Sequence, residues 1–404
     1  MATNTVDFLV IGGGIIGISI ARELKYRNPD SSICVLEKEF QCGLHASSRN
    51  SGVLHAGFYY TASTLKARFT KEGNKRLTEY CDVKNLAIKK CGKLVVAQNE
   101  SELVWLNELM LRAKKNGVPL ELITAEECQS IEPRAKTYQK ALFSPTTSSI
   151  NPTELVKSLI SDAIHEGVQI ITSAQYIHRI GKRRIKSLNG IFEAKYIVNA
   201  AGLYADKIGR DFGFSKDHRI LPFKGLYLYS NEPPGTLKTH IYPVPDLKNP
   251  FLGVHFTITS DNKIKIGPTA IPTFWREQYQ GWKNFNIPEL IEIILTQAGL
   301  FWSSNFDFKT LAFRELKKHS KPLLVELAAK LAKGVEKKYY RRWGQPGIRA
   351  QLLNIRKKEL EMDFVIEGDE QSMHILNAVS PGLTCALPFA DHVCDQIECK
   401  ISGN

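Results

Sequence analysis

The sequence predicts an α/β protein with two domains, one Rossmann-like and one of antiparallel sheet plus helices. Three observations predict it. A glycine-rich turn, Gly12-x-Gly14-x-x-Gly17, follows a short apolar run at residues 8–11 and precedes a helical segment. A second apolar strand ends in a turn at Asn199-Ala-Ala-Gly. From Ile220 onward the pattern changes to short strands with proline-bearing connections, which is typical of an antiparallel sheet.

The glycine turn indicates a dinucleotide site. The first glycine allows a tight turn, the second lets a pyrophosphate approach the backbone, and the third lets helix and strand pack closely. The helix N-terminus adds free N–H groups and partial positive charge. The next predicted strand, residues 32–36, leads to Glu37, about 20 residues after Gly17, where a carboxylate binds an unphosphorylated ribose. The chain is therefore predicted to bind NAD or FAD, through Gly12, Gly14, Ile15, Ile16, Gly17, Glu37 and Lys38.

Residues 42–60 are rich in small and hydroxyl side chains. Small residues let a backbone lie against a flat ligand, and Ser47 and Ser48 offer hydroxyls for phosphate or ring oxygens. The alternative is a surface loop. The apolar residues Val53, Leu54 and Phe58 argue against this alternative, because they are expected to anchor the segment in the protein interior. The cofactor-binding candidates here are Ser47, Ser48, Asn50, Ser51 and Gly52.

The remaining chain is expected to alternate between the two domains. Periodicity predicts helices at 65–81 and 100–116, a helix from 152 capped by Asn151, and strands at 93–97, 168–172, 183–188, 191–193 and 196–200. Residues 288–342 are expected to be largely helical, and residues 374–393 form a strand, a glycine turn and a helix that Pro388 shortens or kinks. The second and third turns supply further cofactor contacts: Ala200, Ala201, Gly202, Pro381, Gly382, Leu383 and Thr384.

Length, charge and cysteine usage limit the class of protein. A chain of 404 residues exceeds what one core usually supports, so two domains are expected. The formal charge of +13 indicates an anionic binding partner, most readily an anionic substrate and next an anionic membrane surface. Nucleic acid ranks last among these partners, because the sequence contains no nucleic-acid-binding motif. The eight cysteines lack metal-ligand spacing, so no metal site is predicted. Without a secretory signal or an apolar run of roughly 18 residues, we expect a cytoplasmic protein or one peripheral on the cytoplasmic membrane face.

Taken together, these motifs resemble the FAD-dependent oxidoreductases of the D-amino-acid oxidase (DAO) superfamily. Within it they are most similar to the L-2-hydroxyglutarate dehydrogenase/oxidase family. The resemblance covers essentially the whole chain. Its most specific pieces are Asn50-Ser-Gly-Val-Leu-His-Ala-Gly-Phe-Tyr-Tyr, Ser63-Thr-Leu-Lys-Ala-Arg, His240-Ile-Tyr-Pro-Val-Pro-Asp, Pro250-Phe-Leu-Gly-Val-His-Phe-Thr, Gly267-Pro-Thr-Ala, Gly347-Ile-Arg-Ala-Gln and Ser380-Pro-Gly-Leu-Thr.

The resemblance implies FAD rather than NAD, bound non-covalently, and a DAO-type two-domain fold. The Rossmann-like FAD-binding domain would comprise residues 1–85, 147–219 and 343–404, and the substrate domain residues 86–146 and 220–342. Arg49 stands where the family motif has a histidine; an arginine there would stabilise an anionic reduced flavin or bind substrate. The implied reaction oxidises L-2-hydroxyglutarate or a close 2-hydroxy acid to the 2-oxo acid, with a quinone or oxygen as electron acceptor.

Oxidation of a 2-hydroxy acid requires a carboxylate clamp and a proton acceptor. We predict Arg349 as the clamp, because its planar fork matches a carboxylate. His255 and His55 are the candidate bases, and His255 is preferred because alternation on residues 251–257 places it with Gly253 and Thr257 on one strand face. Tyr60 and Arg49 are predicted substrate contacts. Tyr59 and Tyr227 share the orienting role with Tyr60, and core packing is an equal alternative for all three.

Two features remain open from the sequence. The distal carboxylate of a five-carbon diacid needs a second cation, for which Arg49, Lys66, Lys224, Arg276 and Arg314 are available. The segment 321–343 reads as one helix, apolar on one face and basic toward its end; it either packs on the core or contacts an anionic membrane. The alternative functions are a DAO-type enzyme acting on an amino acid, an amine or glycerol 3-phosphate, and a non-catalytic flavin-binding module.

Overall fold

The structure is a computed structural model that describes residues 3–245, 251–303 and 307–403. Asp246 and Pro250, which belong to two of the motifs above, lie outside the described residues. The strands, in chain order, are β1 Thr3–Ile11, β2 Ile33–Leu36, β3 Val53–Leu54, β4 Ile88–Lys89, β5 Lys93–Val96, β6 Glu121–Thr124, β7 Lys140–Ser144, β8 Ser148–Ile150, β9 Gln169–Ile171, β10 Tyr176–Gly181, β11 Arg184–Ser187, β12 Gly190–Asn199, β13 His218–Gly225, β14 Leu228–Ser230, β15 His240–Pro243, β16 His255–Ile258, β17 Ile264–Gly267, β18 Ile271–Pro272, β19 Tyr340–Trp343, β20 Gly347–Asn354, β21 Glu359–Leu360, β22 Val365–Gly368 and β23 Ser372–Asn377.

The helices predicted at 65–81, at 100–116 and from 152 are observed close to those positions. Short 3₁₀ turns lie at Glu100–Glu102, Gly202–Tyr204 and Lys337–Tyr339. The α-helices are α1 Ile15–Arg27, α2 Leu65–Val83, α3 Leu103–Asn116, α4 Ala125–Ile131, α5 Pro152–His165, α6 Ala205–Asp211, α7 Ile287–Ser303, α8 Phe308–Lys317, α9 Lys321–Ala329 and α10 Gly382–Ser402.

Unit 1 comprises Met1–Asn50, Pro152–Pro222 and Arg349–Asn404 and contains the parallel sheet. The parallel strands run in the order β9-β2-β1-β12-β23. The sequence predicted separate strands at 191–193 and 196–200, but β12 is one strand. Its first residues pair antiparallel with β11, and its last three pair parallel with β23. The predicted α/β architecture of this unit is confirmed.

Helices cover this sheet because the strands are apolar on both sides. Leu9 and Ile11 pack in a core cluster with Phe212 at the end of α6, while α1 packs against α5 and α10. Pro388 was expected to shorten or kink this helix; it does not shorten it, because α10 continues from Gly382 to Ser402. A proline removes one backbone hydrogen bond and its ring crowds the preceding turn. Burial of neighbours such as Phe389 outweighs that cost here.

Unit 2 comprises Ser51–Asn151 and Phe223–Ile348. Its main sheet has the order β19-β14-β17-β16-β15-β5-β7-β6, and neighbouring strands in this order are antiparallel except β5 with β15. Residues 51–85, predicted to belong with the glycine turn, lie in this unit. The reason is local pairing: Val53 and Leu54 of β3 pair with β8, and α2 packs against α3.

The segment 321–343 is not the single helix that its periodicity predicts. Helix α9 ends at Ala329 and buries Leu324 and Val325 against the main sheet. Beyond it, Ala332 forms a bridge with Ala135, and β19 pairs with β14. Strand pairing therefore replaces the last turns of the predicted helix, and the apolar face proposed for a membrane is in the core. Among the residues described, no helix is both long and apolar enough to cross a bilayer.

Candidate active site

The glycine turn of unit 1 holds backbone segments so close that side chains have no room. Gly12 has a φ of +114°, and a Cβ atom on it would lie 2.5 Å from the carbonyl oxygen of Ala200. A Cβ on Gly17 would collide with the carbonyl oxygen of Gly12. Because these two glycines have no side chain, the end of β1 can lie directly against the end of β12 and the start of α1.

Helix α1 presents its N-terminus at this turn. It begins at Ile15 after an extended Gly14 that supplies no side-chain cap. The Ile15 N–H donates to Ser47 Oγ at 2.9 Å. First-turn N–H groups have no acceptor within their own helix, so this end attracts an anionic group. Ser47, which the sequence picked as a phosphate contact, lies at that end.

Glu37 lies beside the same turn. Its carboxylate accepts hydrogen bonds at 2.9 Å from the N–H of Gly13 and at 2.9 Å from the N–H of Glu39. Each carboxylate oxygen has a further lone pair, so these two bonds leave acceptor capacity for hydroxyl groups. The neighbouring Lys38 pairs with Glu39 at 2.6 Å and lies 5.5 Å from the centroid of the Tyr204 ring.

The other predicted cofactor residues fall in several places. The N–H of Ala200 donates to the carbonyl of Ile11 at 2.9 Å, and Gly202 begins a 3₁₀ turn with a φ of +54°. The side chain of Asn50 donates to the carbonyl of Ser47 at 2.8 Å and so holds its own loop. Pro381, Gly382, Leu383 and Thr384 form the start of α10, whereas Ser51 and Gly52 belong to unit 2.

In unit 2, one side of the main sheet carries the titratable groups. Strands β5, β15, β16 and β17 alternate, so their apolar residues face α9 and their polar residues face the opposite side. The predicted alternation is observed for His255 and Thr257. We call this surface the polar face; its buried members are Lys93, His240, Tyr242, His255, Thr257 and Lys265.

The ring of His255 is fixed in a defined tautomer. Its Nδ1 lies 2.8 Å from the carbonyl oxygen of Gly253, which only accepts, so Nδ1 carries the proton and donates. In the neutral ring Nε2 then has the free lone pair. The ring stacks on Tyr242 with centroids 3.7 Å apart. Burial first, and then the nearby His55 and Lys93, hold the pKa of His255 well below its usual value, so the imidazole is neutral.

His240, by contrast, has both ring nitrogens engaged. Its Nδ1 accepts from the N–H of Ile258 at 3.1 Å, so the proton sits on Nε2. That nitrogen faces Ser149 Oγ at 3.3 Å and Cys91 Sγ at 3.4 Å. Burial, with the neighbouring Lys93, lowers the pKa of His240 to about 3. We interpret His240 as a structural residue of the polar face.

The second candidate base, His55, is also held neutral. Burial, and then the charge of Lys93, lower its pKa to about 3. Its backbone carbonyl accepts from the side chain of Asn74 at 3.2 Å, which fixes the main chain. Because an orienting acceptor is defined for the ring of His255, we keep His255 as the preferred base and His55 as the alternative.

The predicted substrate-binding residues are divided between the units. Arg349 lies in unit 1 and is the third residue of β20. Arg49, also in unit 1, donates from Nε to the carbonyl of Leu44 at 2.6 Å. Tyr60 is partly buried in unit 2, which also contains Tyr227. Their contacts with substrate remain predictions.

The candidates for a second cation differ in their surroundings. Arg276 is fully buried and lies 3.4 Å from Glu292, so its charge is matched within the protein. Arg314 is exposed on α8, Lys66 is buried on α2, and burial lowers the pKa of Lys224 on β13. Sequence reasoning missed Lys93, the first residue of β5. Its signal was a single lysine at the start of an otherwise apolar predicted strand, residues 93–97.

Comparison with known families decides the class of this arrangement. A family model described as FAD dependent oxidoreductase, the DAO family, matches residues 7–396. The chain belongs to this family. It is 33% identical to the mitochondrial L-2-hydroxyglutarate dehydrogenase of Homo sapiens, over 98% of this chain and 89% of that protein. It is 32% identical to the L-2-hydroxyglutarate dehydrogenase of Escherichia coli K12, over 98% of this chain and 94% of that protein.

Solved structures agree with the DAO fold. The dithionite-reduced L-alpha-glycerophosphate oxidase of Mycoplasma pneumoniae, with FAD bound, matches with a TM-score of 0.78 and 22% identity, over 98% of this chain and 95% of that one. Glycine oxidase of Geobacillus kaustophilus matches with a TM-score of 0.73 and 19% identity, over 98% and 96%. The predicted two-domain DAO architecture and its FAD-dependent chemistry are confirmed.

The residues of unit 1 fit the cofactor of a DAO-family oxidoreductase. Glycine at position 12 lets the ends of β1 and β12 approach each other at this turn, because a Cβ atom there would lie 2.5 Å from the carbonyl oxygen of Ala200. The uncapped N-terminus of α1 is suited to a pyrophosphate, and the carboxylate of Glu37 beside it is suited to ribose hydroxyls. The FAD that the family requires therefore has matching groups on this chain.

Proposed function

We propose that this DAO-family enzyme oxidises L-2-hydroxyglutarate to 2-oxoglutarate. The support is twofold: relatives at 32–33% identity along almost the whole chain carry that activity in their names, and unit 2 contains a neutral, oriented imidazole. The net charge of +13 is compatible with a dianionic substrate.

The proposed roles follow from the chemistry of each group. The substrate loses a hydride from C2, which FAD accepts when bound, and a proton from its hydroxyl. His255 Nε2 takes that proton, and the bond from Nδ1 to the Gly253 carbonyl keeps the ring in the tautomer that can do so. Arg349 is assigned to the α-carboxylate, with Tyr60 and Arg49 as further substrate contacts. The orientation of His255 is the single observation on which this assignment depends most.

Anaerobic bleaching of the bound flavin tests the proposed substrate. We expect the yellow protein to lose its flavin absorbance under nitrogen with L-2-hydroxyglutarate and to release 2-oxoglutarate in equal amount. The D-enantiomer is the matched control and should leave the flavin oxidised. Bleaching by an amino acid, an amine or glycerol 3-phosphate in place of L-2-hydroxyglutarate would assign the chain to another DAO activity. Reoxidation with oxygen or a quinone then identifies the electron acceptor.

We also propose that unit 2 contacts an anionic membrane, where a quinone is available, through helices α7 and α8. On α7 the exposed apolar side chains Ile287, Ile291, Ile294 and Leu295 recur at helical spacing and so share one face. On α8 the exposed Lys309, Phe313, Leu316 and Lys317 have the same spacing. Lipid headgroups of negative charge complement the lysines, and the acyl boundary accepts the apolar side chains.

Vesicle binding tests this surface. Leu295 is 66% exposed, and its replacement by asparagine should weaken co-sedimentation with phosphatidylglycerol vesicles about tenfold, because one apolar anchor is lost. Leu111→Asn is the matched control, since Leu111 is a similarly exposed leucine (57%) on α3. Equal effects of the two substitutions, or equal binding to phosphatidylcholine vesicles, would contradict the assignment.

A further inference from the structure

Lys93 is a buried ammonium group that the proposed reaction does not yet use. The residue is 0% exposed, and its Nζ has no hydrogen-bond partner among the described residues. Three aromatic rings surround it: the centroids of Phe58 and Tyr59 lie 4.5 Å from Nζ, and that of Tyr242 lies 4.9 Å away. The faces of these rings attract a cation, but none of them supplies a negative charge.

The charge of Lys93 is not matched within the described part of the protein. No acidic side chain there forms an ion pair with it, and burial lowers the pKa of its ammonium to about 7. Its titratable neighbours are histidines and tyrosines, none of which carries a negative charge at pH 7, and Lys93 itself lowers the pKa of His55, His240 and His255. Buried lysines are almost always paired. A site that gathers basic groups without a carboxylate is built to receive an anion.

The position of Lys93 relative to His255 fits one particular anion. Both groups contact the same ring: the His255 ring lies 3.7 Å and the Lys93 Nζ 4.9 Å from the centroid of Tyr242, so the two are within about 9 Å of each other. In an extended five-carbon 2-hydroxy diacid, the hydroxyl and the distal carboxylate are roughly 5 Å apart. Hydrogen bonds of about 3 Å at each end would let one molecule reach both groups.

We infer that the Lys93 ammonium binds the distal carboxylate of the dicarboxylate substrate and is the specificity-determining residue for a diacid. This rests on the proposed function. The carboxylate neutralises the charge that depresses the basicity of His255, so occupation of the Lys93 site also makes His255 a better proton acceptor. A substrate without the distal carboxylate would forfeit both effects.

Substitution of Lys93 tests the inference with a pair of substrates of equal length. Lys93→Met keeps the length of the side chain and removes its charge. We expect kcat/KM for L-2-hydroxyglutarate to fall by about 30-fold or more, as when one partner of a buried charge pair is truncated, and kcat/KM for L-2-hydroxyvalerate to change little. The dissociation constants of 2-oxoglutarate and 2-oxovalerate, measured from the flavin spectrum, should show the same contrast without turnover.

Lys265→Met is the matched control. Lys265 is a second buried lysine of the polar face, but its Nζ donates to the carbonyl of Ser51 at 3.0 Å. Its loss should not change the ratio between diacid and monoacid. If Lys93→Met lowers kcat/KM for both substrates by the same factor, with FAD content retained, then Lys93 only packs against the surrounding aromatic rings and the inference fails. A wild-type enzyme that leaves L-2-hydroxyglutarate unoxidised would instead reject the proposed function.

The pH dependence gives a second measurement. In the free enzyme Lys93 loses its proton as the pH rises through about 7, and with it the charge that holds the distal carboxylate. The preference for the diacid should therefore decrease above pH 7 in the wild type and be flat in Lys93→Met. The facing groups His55, His240 and His255 are already neutral there, and the hydroxyls of Tyr59 and Tyr242 have raised pKa values, so they do not mimic this change. Burial lowers the pKa of Lys265, on the same face, to about 8, and Lys265→Met removes its contribution.

Discussion

His255→Asn is expected to slow flavin reduction by L-2-hydroxyglutarate about 10²–10⁴-fold, the usual contribution of a positioned general base. Asparagine keeps a donor that can reach the Gly253 carbonyl but offers no atom that accepts a proton. Stopped-flow bleaching under nitrogen measures the reductive step alone. Because the residues assigned to FAD are mostly in unit 1, the substituted protein should retain its FAD.

The other histidines of unit 2 are the controls for this substitution. His240 uses both ring nitrogens in protein contacts, so His240→Asn should lower the melting temperature while folded protein is reduced within a few-fold of the wild-type rate. If His55→Asn shows the large loss and His255→Asn does not, the base is His55. Wild-type rates in both variants would exclude His255 and His55 as the base.

The low pKa of His255 adds an expectation for the wild type. An ordinary histidine base would be protonated below pH 6.5 and the rate would fall there. Burial holds the pKa of His255 well below that value, so its proton-accepting form persists at lower pH. We expect kcat/KM to show no acid limb near pH 6.5. A limb at that pH would mean that the base titrates as if exposed.

The fold was predictable where local pattern and packing agree. A motif that is local in sequence predicts the turn at Gly12, the strand before it and the helix after it. The segment 321–343 failed because its helical periodicity competed with long-range pairing. The bridge of Ala332 to Ala135 joins residues far apart in sequence, and no local pattern reports such a contact.

The candidate site shows the same division. Alternation alone placed His255 and Thr257 on one strand face. The sequence left His255 and His55 as alternative bases, because it does not show which group each ring nitrogen meets; for His255 Nδ1 that group is the carbonyl oxygen of Gly253. Lys93 was missed for a related reason. A lysine in a strand usually indicates a solvated edge, and only the three rings around it, two of them from residues 58–59, reveal that it is buried.

Gly12→Ala is expected to abolish FAD retention and to destabilise unit 1 severely. The φ of +114° excludes an ordinary L-residue, and the new Cβ would lie 2.5 Å from a backbone oxygen of Ala200, which no side-chain rotation can move aside. Relief requires β1 and β12 to separate at the point where the turn meets α1. Strain of this kind lowers the free energy of unfolding by more than roughly 4 kcal/mol, which is a large part of the total stability of a domain.

Gly213→Ala, also in unit 1, separates strain from collision. Gly213 has a positive φ, +93°, but no atom lies within 4 Å of a Cβ built on it. Only the conformational term of about 1–2 kcal/mol applies there, so this variant should fold and remain yellow. Urea unfolding and the ratio of flavin to protein absorbance measure both effects. A Gly12→Ala protein with full FAD and wild-type stability would mean that β1 and β12 are not held together at the turn, and the cradle assigned to the pyrophosphate would lose its basis.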